Sequence, residues 1–392
     1  MNAKPLDQSL PNNTECCGCS ACFAICPVNA ITMRPDSEGF LQPAIDDSRC
    51  IRCGKCKKAC PVLNQGAPRI PLSVYAAKAK DDDLRRISSS GGMFSLLARD
   101  VIKHRGIVYG AAFEAHTHRV VHQAAENEND LDKLRGSKYV QSDIGDIFTN
   151  VKHSLDSGRE VLFSGCPCQV AGLRNFLGME HLKLLTIEVI CHAVPSPMAW
   201  QKYLSCLEHA NQSRIIHVSS RRDCDWREYT LSFEIADSSG NTHVLAPAHC
   251  SYLQAFGSEL FNRKCCHRCR FRAFKSGADI TMGDFWGVEQ EHPEINDDKG
   301  VSAVICNTPK GKAAFSAVYG LIKHVPSTVR TVARHNKTLF GNHRPNKLRK
   351  CFFAEITDSN FDELVERLMT PPLWYRALRW IKWHTMGKPN NT

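Results

Sequence analysis

Eight of the 20 cysteines in this 392-residue chain form two copies of one spacing pattern. The first copy comprises Cys16, Cys19, Cys22 and Cys26, and the second comprises Cys50, Cys53, Cys56 and Cys60. In each copy the first three cysteines are separated by two residues, and the fourth follows after three more and precedes a proline. Three closely spaced thiolates can hold three corners of a 4Fe-4S cube, while the fourth cysteine ligates the neighbouring cube. The pattern therefore predicts one-electron transfer at two iron–sulfur clusters.

This double run is the one that bacterial two-cluster ferredoxins use. The predicted ligands are Cys16, Cys19, Cys22 and Cys60 for the first cluster, and Cys50, Cys53, Cys56 and Cys26 for the second. Zinc knuckles are the alternative, because zinc also binds cysteine pairs two residues apart. A four-ligand zinc site gains nothing, however, from two identical runs that each end in proline. Cys17 falls outside the pattern and is either a spare thiol or an alternative to Cys16.

The rest of the composition narrows the class of protein. Residues 1–15 are polar and lack the apolar segment of a secretion signal, so we expect reduced thiols and a cytoplasmic location. The net charge of +10 suggests an acidic partner, a polyanionic substrate or a phosphate-bearing cofactor. The basic residues are spread along the chain without a nucleic-acid-binding motif, so we expect no nucleic-acid partner. No apolar run is long enough to cross a bilayer, which leaves at most peripheral membrane contact.

The order of patterns predicts an α+β fold, in which a bacterial-type ferredoxin domain with two 4Fe-4S clusters precedes a large mixed α/β body. The expected parts are a flexible leader (1–15), the ferredoxin domain (16–66), the two parts of the body (73–160 and 161–345) and C-terminal helices (346–392). Strands are predicted at 30–34, 40–45, 74–79, 107–113, 161–163, 184–190, 215–219, 229–235 and 243–245. Helices are predicted at 93–104, 143–155, 169–176, 197–209, 361–369 and 373–384.

The last of these helices carries four aromatic residues among basic ones. Such a helix can lie on a membrane surface or dock a partner, but packing on its own domain is the simpler interpretation, which we favour.

Three features of the body could also carry chemistry. The Ser/Gly turn at 88–92 precedes a helix, where free N–H groups favour a phosphate, although a simple helix cap explains it as well. Cysteines at 166, 168, 191, 265, 266 and 269 could surround a third cluster or a zinc ion, or remain buried, unreactive thiols. The segment 278–287 ends in a turn that could place Asp284 and Trp286 against a flat ring, or could merely surround a buried tryptophan.

In this order, five motifs resemble the beta subunits of coenzyme F420 hydrogenases and dehydrogenases. They are Ser-Ser-Gly-Gly at 89–92, Gly-Ser-Lys-Tyr-Val-Gln-Ser at 136–142, Pro-Cys-Gln at 167–169, Cys-His at 191–192 with Pro-Ser-Pro at 195–197, and the segment 279–287. The resemblance covers nearly the whole chain and implies an iron–sulfur flavoprotein whose body binds FAD. Two departures are Cys166, where the family usually has a small or hydroxyl residue, and the doublet Cys265–Cys266.

The resemblance also implies which residues form the sites. The flavin would be lined by Ser89, Ser90, Gly91, Gly92, Ser137, Lys138, Tyr139, Gln141 and Asp284. The body cluster would be held by Cys168, Cys191, Cys266 and Cys269. Lys138 is the catalytic candidate, because its amine could stabilise negative charge on reduced flavin; the alternative is a solvated surface lysine.

Two functions of different classes follow. The first is an FAD-dependent oxidoreductase that passes electrons between a two-electron small molecule, coenzyme F420 or another conjugated acceptor, and the 4Fe-4S clusters. The second is an electron-transfer subunit of a larger hydrogenase- or dehydrogenase-like complex, without a substrate site of its own. Both imply a redox partner protein, either ferredoxin-like or a subunit of such a complex. A third hypothesis, zinc-based nucleic-acid binding, predicts a colourless protein.

Overall fold

The computed structural model describes residues 10–221, 226, 230–246 and 250–370. The helix predicted at 373–384 and most of the predicted leader lie outside these residues. Among the helices that are described, none combines the length and the apolar character needed to cross a membrane.

The two cysteine runs fold into a small unit. It contains the helices α1 (Ala21–Ala24) and α2 (Lys55–Ala59) and the strands β1 (Ile31–Pro35) and β2 (Leu41–Ile45). The strands pair antiparallel, with Ile31 opposite Ile45, which confirms the predicted hairpin. Asp36 fixes the turn between them, because its side chain accepts the N–H groups of Glu38 and Phe40 at 2.9 and 3.0 Å.

The body follows as alternating strands and helices, as predicted. Its strands are β3 (Ser73–Ala79), β4 (Ile107–Glu114), β5 (Arg119–Ala125), β6 (Val161–Gly165), β7 (Leu184–Val189), β8 (Arg214–Ser220), β9 (Leu231–Ala236), β10 (Thr242–Leu245), β11 (Ile280–Asp284), β12 (Ser302–Cys306) and β13 (Ile322–Pro326). Its helices are α3 (Asp82–Arg86), α4 (Met93–Lys103), α5 (Glu128–Leu134), α6 (Ile147–Asp156), α7 (Pro167–Leu177), α8 (Pro197–Asn211), α9 (Ser251–Gly257), α10 (Val288–Glu291), α11 (Pro309–Ala317), α12 (Val329–His335), α13 (Arg349–Glu355) and α14 (Phe361–Met369). Short 3-10 turns cover Lys264–Arg268, Tyr319–Leu321 and Lys337–Leu339.

The large sheet has the strand order β13-β3-β12-β11-β7-β6-β4-β5. Its centre is parallel, because β4, β6, β7 and β11 pair parallel, whereas the flanking pairs on both sides are antiparallel. The carboxyl ends of parallel strands lie at one edge of a sheet, where open α/β proteins bind ligands. The strands β8, β9 and β10 form a separate antiparallel sheet. The mixed α/β body predicted after the ferredoxin unit is thus confirmed.

The ferredoxin unit packs on the helices that cover the centre of the large sheet. Cys19 and Ala59 share an apolar core with Phe148 of α6 and with Leu173 of α7. At Gly172 of α7 the backbone lies so close that a Cβ atom there would come within 2.9 Å of the Cys19 sulfur. A side chain at this position would therefore push the first cysteine run away from the body.

Glu188 is a buried acid on β7, and it lies opposite Thr281 of the neighbouring strand β11. It is 2 % exposed, and the Thr281 hydroxyl donates to its carboxylate at 2.6 Å. Burial raises its pKa to about 7. Because this folded-state pKa lies above the unfolded value, ionising the buried carboxylate costs stability as the pH rises.

We predict that Glu188→Gln stabilises the chain, and more strongly at pH 8.5 than at pH 6. The unfolded carboxylate ionises near pH 4.5 and the folded one near pH 7, so the wild type loses stability between those values, and the neutral amide does not. The difference between the two pH values should be about 1 kcal/mol. Anaerobic denaturation of both proteins at both pH values measures it, and an equal gain at the two pH values would contradict the pKa shift.

Candidate functional site

The four cysteines predicted for the first cluster line one small cavity. Cys16, Cys19 and Cys22 meet Cys60 there, so the fourth cysteine of the second run does reach the first site. The remaining wall is mostly apolar, and the Gly18 N–H donates to the Cys16 sulfur at 3.4 Å. Burial raises the pKa of Cys16 to about 11. Thiolates in such surroundings need metal charge to stay deprotonated, so this arrangement fits a 4Fe-4S cluster.

The second run lies nearer the surface. Burial raises the pKa of Cys56, and the adjacent thiols of Cys53 and Cys50 raise it further. Cys53 is exposed, and the Cys26 sulfur accepts the Ala30 N–H at 3.2 Å. A cluster held by this run would sit at the protein surface, where electrons can leave.

The body cysteines come together from three segments. Cys166 precedes α7 and Cys168 is its second residue, Cys191 follows β7, and Cys265, Cys266 and Cys269 lie in or beside the 3-10 turn. The sulfurs of Cys191 and Cys166 are 3.9 Å apart. The contact with Cys191 and burial raise the pKa of Cys166, and the thiols of Cys266 and Cys269 add to this effect. The structure therefore gathers the predicted body ligands, but it also places the two extra thiols, Cys166 and Cys265, among them.

Cys17, which the spacing left unassigned, links the two groups of thiols. It is buried, and its thiol contacts Cys19 of the first run and Cys168 of the body. A contact with Cys17 also raises the pKa of the Cys168 thiol. The first ferredoxin site and the body cysteines are thus neighbours, a relation that the sequence pattern did not reveal.

A cavity of about 700 Å³ opens at the carboxyl edge of the large sheet, next to the body cysteines. Cys166 and Cys191 form part of its wall. Seven of the predicted flavin residues line it: Ser89, Ser90, Gly92, Ser137, Lys138, Tyr139 and Asp284. Gly91 lies behind the wall, where its N–H donates to the Ser302 hydroxyl at 3.1 Å. A cavity of this size is typical of sites for cofactors and small molecules.

Gln141, also predicted at the flavin, points to the ferredoxin unit instead. Its side-chain amide donates to the Cys17 carbonyl at 3.0 Å, and its oxygen accepts from Arg263 at 2.8 Å. The residue is buried and is absent from the cavity wall. Its position therefore suits the contact between the two units better than contact with a cofactor.

The Ser/Gly turn places the start of α4 at the cavity. Gly92 caps this helix with φ 78°, a left-handed conformation that glycine adopts without a steric penalty. Ser90 is tied back by a hydrogen bond to the Val301 carbonyl, and Ser137 donates to Ser89 at 3.3 Å. The turn therefore brings hydroxyl groups and a helix N-terminus to one end of the cavity, a combination suited to phosphate.

An ion pair between Arg221, which follows β8, and Asp284 of β11 forms another part of the wall. Arg221 binds Asp284 through both guanidinium nitrogens, with an Nη1–Oδ2 distance of 2.6 Å, and lies 5.7 Å from the centre of the Trp286 ring. Trp286 in turn stacks on Trp226 with ring centres 5.3 Å apart. Asp284 and Trp286 thus both line the cavity, and Asp284 is neutralised by an arginine.

Lys138 lines the cavity but directs its amine to the backbone. Its Nζ donates to the carbonyls of Lys133 and Gly136 at 3.0 and 3.2 Å, and also to that of Arg135. These carbonyls end α5, so the ammonium group caps that helix. A role toward a ligand would require the side chain to give up some of these bonds.

His122 is a wall residue that the sequence analysis missed. Its Nε2 lies 3.0 Å from the Ser164 carbonyl, and its ring stacks on Phe163. Burial lowers its pKa to about 4, so the imidazole is neutral and Nε2 donates its hydrogen to that carbonyl. Its alternating position in β5 could have indicated an inward-facing side chain, had that strand been predicted.

Comparison with known proteins agrees with this arrangement. Residues 15–64 match the 4Fe-4S dicluster domain, and residues 42–104 match a second model of the same description. Residues 158–323 match the C terminus of the coenzyme F420 hydrogenase/dehydrogenase beta subunit. The first two matches support the cluster assignment, and the third covers the body cysteines and much of the cavity wall.

The individual relatives are distant. The chain is 24 % identical over 193 residues to one of the subunits of the F(420)H(2) dehydrogenase of Methanosarcina mazei, and the match covers 45 % of this chain and 53 % of that protein. It is 23 % identical over 210 residues to an uncharacterized protein of Methanocaldococcus jannaschii, with 45 % and 57 % covered. The chain thus spans little more than half the length of these relatives.

A chain in the xenon-derivatized F420-reducing [NiFe] hydrogenase complex of Methanosarcina barkeri is similar with a TM-score of 0.46 and 18 % identity, covering 70 % of this chain and 89 % of that one. A 4Fe-4S dicluster match is thus followed by a match to the C terminus of the coenzyme F420 hydrogenase/dehydrogenase beta subunit, in the order that the sequence motifs predicted, which confirms the resemblance of this chain to that family.

Proposed function

We propose that this chain is an FAD-dependent iron–sulfur oxidoreductase. It would pass electrons between a two-electron small molecule, the deazaflavin F420 or another conjugated acceptor, and its 4Fe-4S clusters. One observation carries the proposal: the cavity of about 700 Å³ has Cys166 and Cys191 in its wall. A redox cofactor there would lie beside the thiols that lead, through Cys17, to the first ferredoxin site.

The cavity residues fit a flavin dinucleotide. Met93, Met282 and Phe256 supply apolar wall, while the α4 N-terminus and the serines around it offer hydrogen-bond donors suited to a diphosphate. When bound, a flavin would supply the conversion between a two-electron hydride and single electrons. The chain would hold the ring against the apolar wall, with the Arg221–Asp284 pair fixing Trp286 beside it. Cys168, Cys191, Cys266 and Cys269 remain our proposed ligands of a body cluster.

A second candidate is an electron-transfer subunit that works only inside a larger complex. The name of the Methanosarcina mazei relative describes a subunit of a dehydrogenase, and this chain covers about half of that protein. The surface around the second cysteine run suits a redox partner protein under either of the two functions. Arg52, Lys55 and Lys58 are exposed beside exposed Cys53, so an acidic electron carrier is the partner that this surface fits.

Flavin binding tests the first function. We expect the purified, cluster-containing chain to bind about one FAD, and reduced F420 to bleach the flavin and cluster absorbance anaerobically. If dithionite bleaches a flavin-loaded protein but F420 does not, the substrate is a different one. If no flavin binds, the oxidoreductase proposal is wrong and the role as an electron-transfer component of a complex stands.

In the same assay, we expect Lys138→Met to slow reduction about tenfold while the protein keeps its FAD, if the amine turns from the α5 carbonyls to the reduced ring. Lys133→Met is the matched control, because this lysine lies in the last turn of α5, five residues before Lys138, and outside the cavity wall. Unchanged turnover in Lys138→Met would leave the lysine with its helix-capping role alone.

We expect the double variant Lys55→Glu/Lys58→Glu to slow electron transfer to an acidic ferredoxin at least tenfold at low salt, because like charges oppose encounter. The loss should shrink as salt is added, since these exposed charges are screened. Stopped-flow reduction of the acceptor measures the rate. Lys323→Glu, an exposed charge reversal on the edge strand β13, should leave the rate unchanged. Equal rates for wild type and double variant at low salt would show that electrons leave the chain at a different surface.

A further inference from the structure

Beside the cavity, three segments bring two histidines to one buried carboxylate. His192 follows the body cysteine Cys191, Glu259 follows α9, and His343 precedes α13. The Glu259 Oε1 atom lies 2.6 Å from His192 Nε2 and 3.6 Å from His343 Nδ1. One potential ligand atom from each residue lies within 4.8 Å of the other two. No motif in the sequence predicted this meeting.

The carboxylate is held in place by its surroundings. Glu259 is 6 % exposed, and Asn262 donates to its other oxygen, Oε2, at 2.6 Å. Its backbone has φ 62°, in the left-handed region that a residue with a Cβ adopts only at a cost of about 1 kcal/mol. Strained residues of this kind persist only where surrounding contacts hold them, and they cluster at active sites and ligand-binding sites.

Several potential ligand atoms around Glu259 have no partner. Within the described part of the chain, His343 Nε2, Asn262 Oδ1 and His267 Nε2 are buried and make no hydrogen bond. The His267 side chain is 7 % exposed, and its Nδ1 lies 3.2 Å from the His343 carbonyl and 3.7 Å from Glu259 Oε2. Donation from Nδ1 to that carbonyl leaves Nε2 with a free lone pair, the state in which histidine ligates metals. Buried polar atoms without partners call for a water or an ion that satisfies them.

One carboxylate and two arginines set the charge around this group. Glu259 is the carboxylate that these imidazoles face, and Asn262 is neutral. Arg272 is close and keeps its positive charge, because the carbonyls of His192 and Thr338 to which it donates are neutral, so a bound cation relies on the Glu259 carboxylate. Arg349 is neutralised by Glu38.

We propose that His192, Glu259 and His343 bind a divalent transition-metal ion, for which Zn²⁺ is the probe. Two imidazoles and one carboxylate form the ligand set of catalytic zinc sites, which keep a further position open. With zinc bonds of about 2.0–2.1 Å, ligand atoms lie roughly 3.3 Å apart, so the His192–Glu259 contact must open by under about 1 Å. Because His192 also lines the cavity, the open position would face the space that a small molecule enters. The ion would act as a Lewis acid toward an oxygen or nitrogen of that molecule.

The test uses the cluster-containing protein, prepared without oxygen and equilibrated with Zn²⁺. We expect about one zinc ion per chain, with an X-ray absorption shell of nitrogen and oxygen at about 2.0–2.1 Å and no sulfur at about 2.3 Å. Glu259→Gln, which keeps the shape of the side chain, and His343→Ala should each weaken zinc binding at least tenfold. His153→Ala, an exposed histidine on α6, should not.

The visible absorbance of the clusters, which must be equal in all variants, shows that each protein is folded. A sulfur shell, or zinc retained by Glu259→Gln as tightly as by the wild type, would overturn the proposal. So would a wild type that binds no zinc, and the three residues would then be a hydrogen-bonded group only. Because the readout needs neither flavin nor substrate, its result is independent of the proposed oxidoreductase function.

Discussion

Replacing Cys22 with alanine should remove iron from the first cluster and block electron flow through it. Cys22 lines the same small cavity as Cys16, Cys19 and Cys60, and alanine leaves three thiolates there. Three thiolates leave one iron of the cube without a protein ligand, so we expect the chain to lose that iron or the whole cluster, which is about one to four iron atoms. The rate at which a reduced small molecule passes electrons to an external acceptor should fall at least tenfold.

Iron analysis and electron paramagnetic resonance of the anaerobic protein measure the change. Cys351→Ala is the matched control, because this cysteine is exposed on α13 and lies outside both cysteine runs. The control should keep the wild-type iron content and rate. A wild type that is colourless and contains zinc in place of iron would refute the cluster assignment altogether, and Cys22→Ala would then change only its zinc content.

The cluster sites could be predicted because the ligands of a 4Fe-4S cluster are cysteines at short, regular separations in the sequence. Two residues between thiols suffice to place them around a cube, so the crossing of Cys60 to the first site followed from sequence alone. The central strands were also predictable, since β4, β6 and β7 are short apolar runs that precede helices or turns. The helix predicted at 143–155 begins only at Ile147, because Asp143 forms a turn that accepts the Gly145 N–H.

Other elements gave no comparable signal. The strand β12 is buried at every position, so it lacks the alternation that marks a half-buried strand. Its two faces pack in different apolar cores, with Val304 and Cys306 in one and Ala303 and Ile305 in the other. The cluster of His192, Glu259 and His343 joins residues far apart in the chain, and only the folded chain brings them together. Gln141 shows that a family resemblance is limited in the same way. The motif shows which residue is present, but tertiary contacts such as the bond to the Cys17 carbonyl decide where its side chain points.

Arg263 is the second residue whose loss should have a large effect. It is 1 % exposed, and its guanidinium donates to the carbonyls of Cys16 and Leu41 at 2.8 and 2.9 Å and to Gln141 at 2.8 Å. Arg263→Met leaves these three buried acceptors without their donor, each at a cost of about 1–3 kcal/mol. We therefore expect the ferredoxin unit to loosen from the body and the chain to be destabilised by about 3–5 kcal/mol. Arg263→Lys keeps the charge but not the forked geometry and should lose less.

The same arginine should set the potential of the clusters, which gives its variant a signature beyond stability. Its positive charge faces the thiols of Cys265, Cys16 and Cys17, between the first ferredoxin site and the body cysteines. A nearby positive charge favours the reduced, more negative cluster, so Arg263→Met should lower the midpoint potential by on the order of tens of millivolts. Potentiometric titration followed by electron paramagnetic resonance measures this shift. Arg349→Met breaks the buried pair with Glu38, another contact between the ferredoxin unit and the body, and should cost stability without moving the potential. If wild type and Arg263→Met have equal midpoint potentials, the role of Arg263 is only to hold the ferredoxin unit against the body.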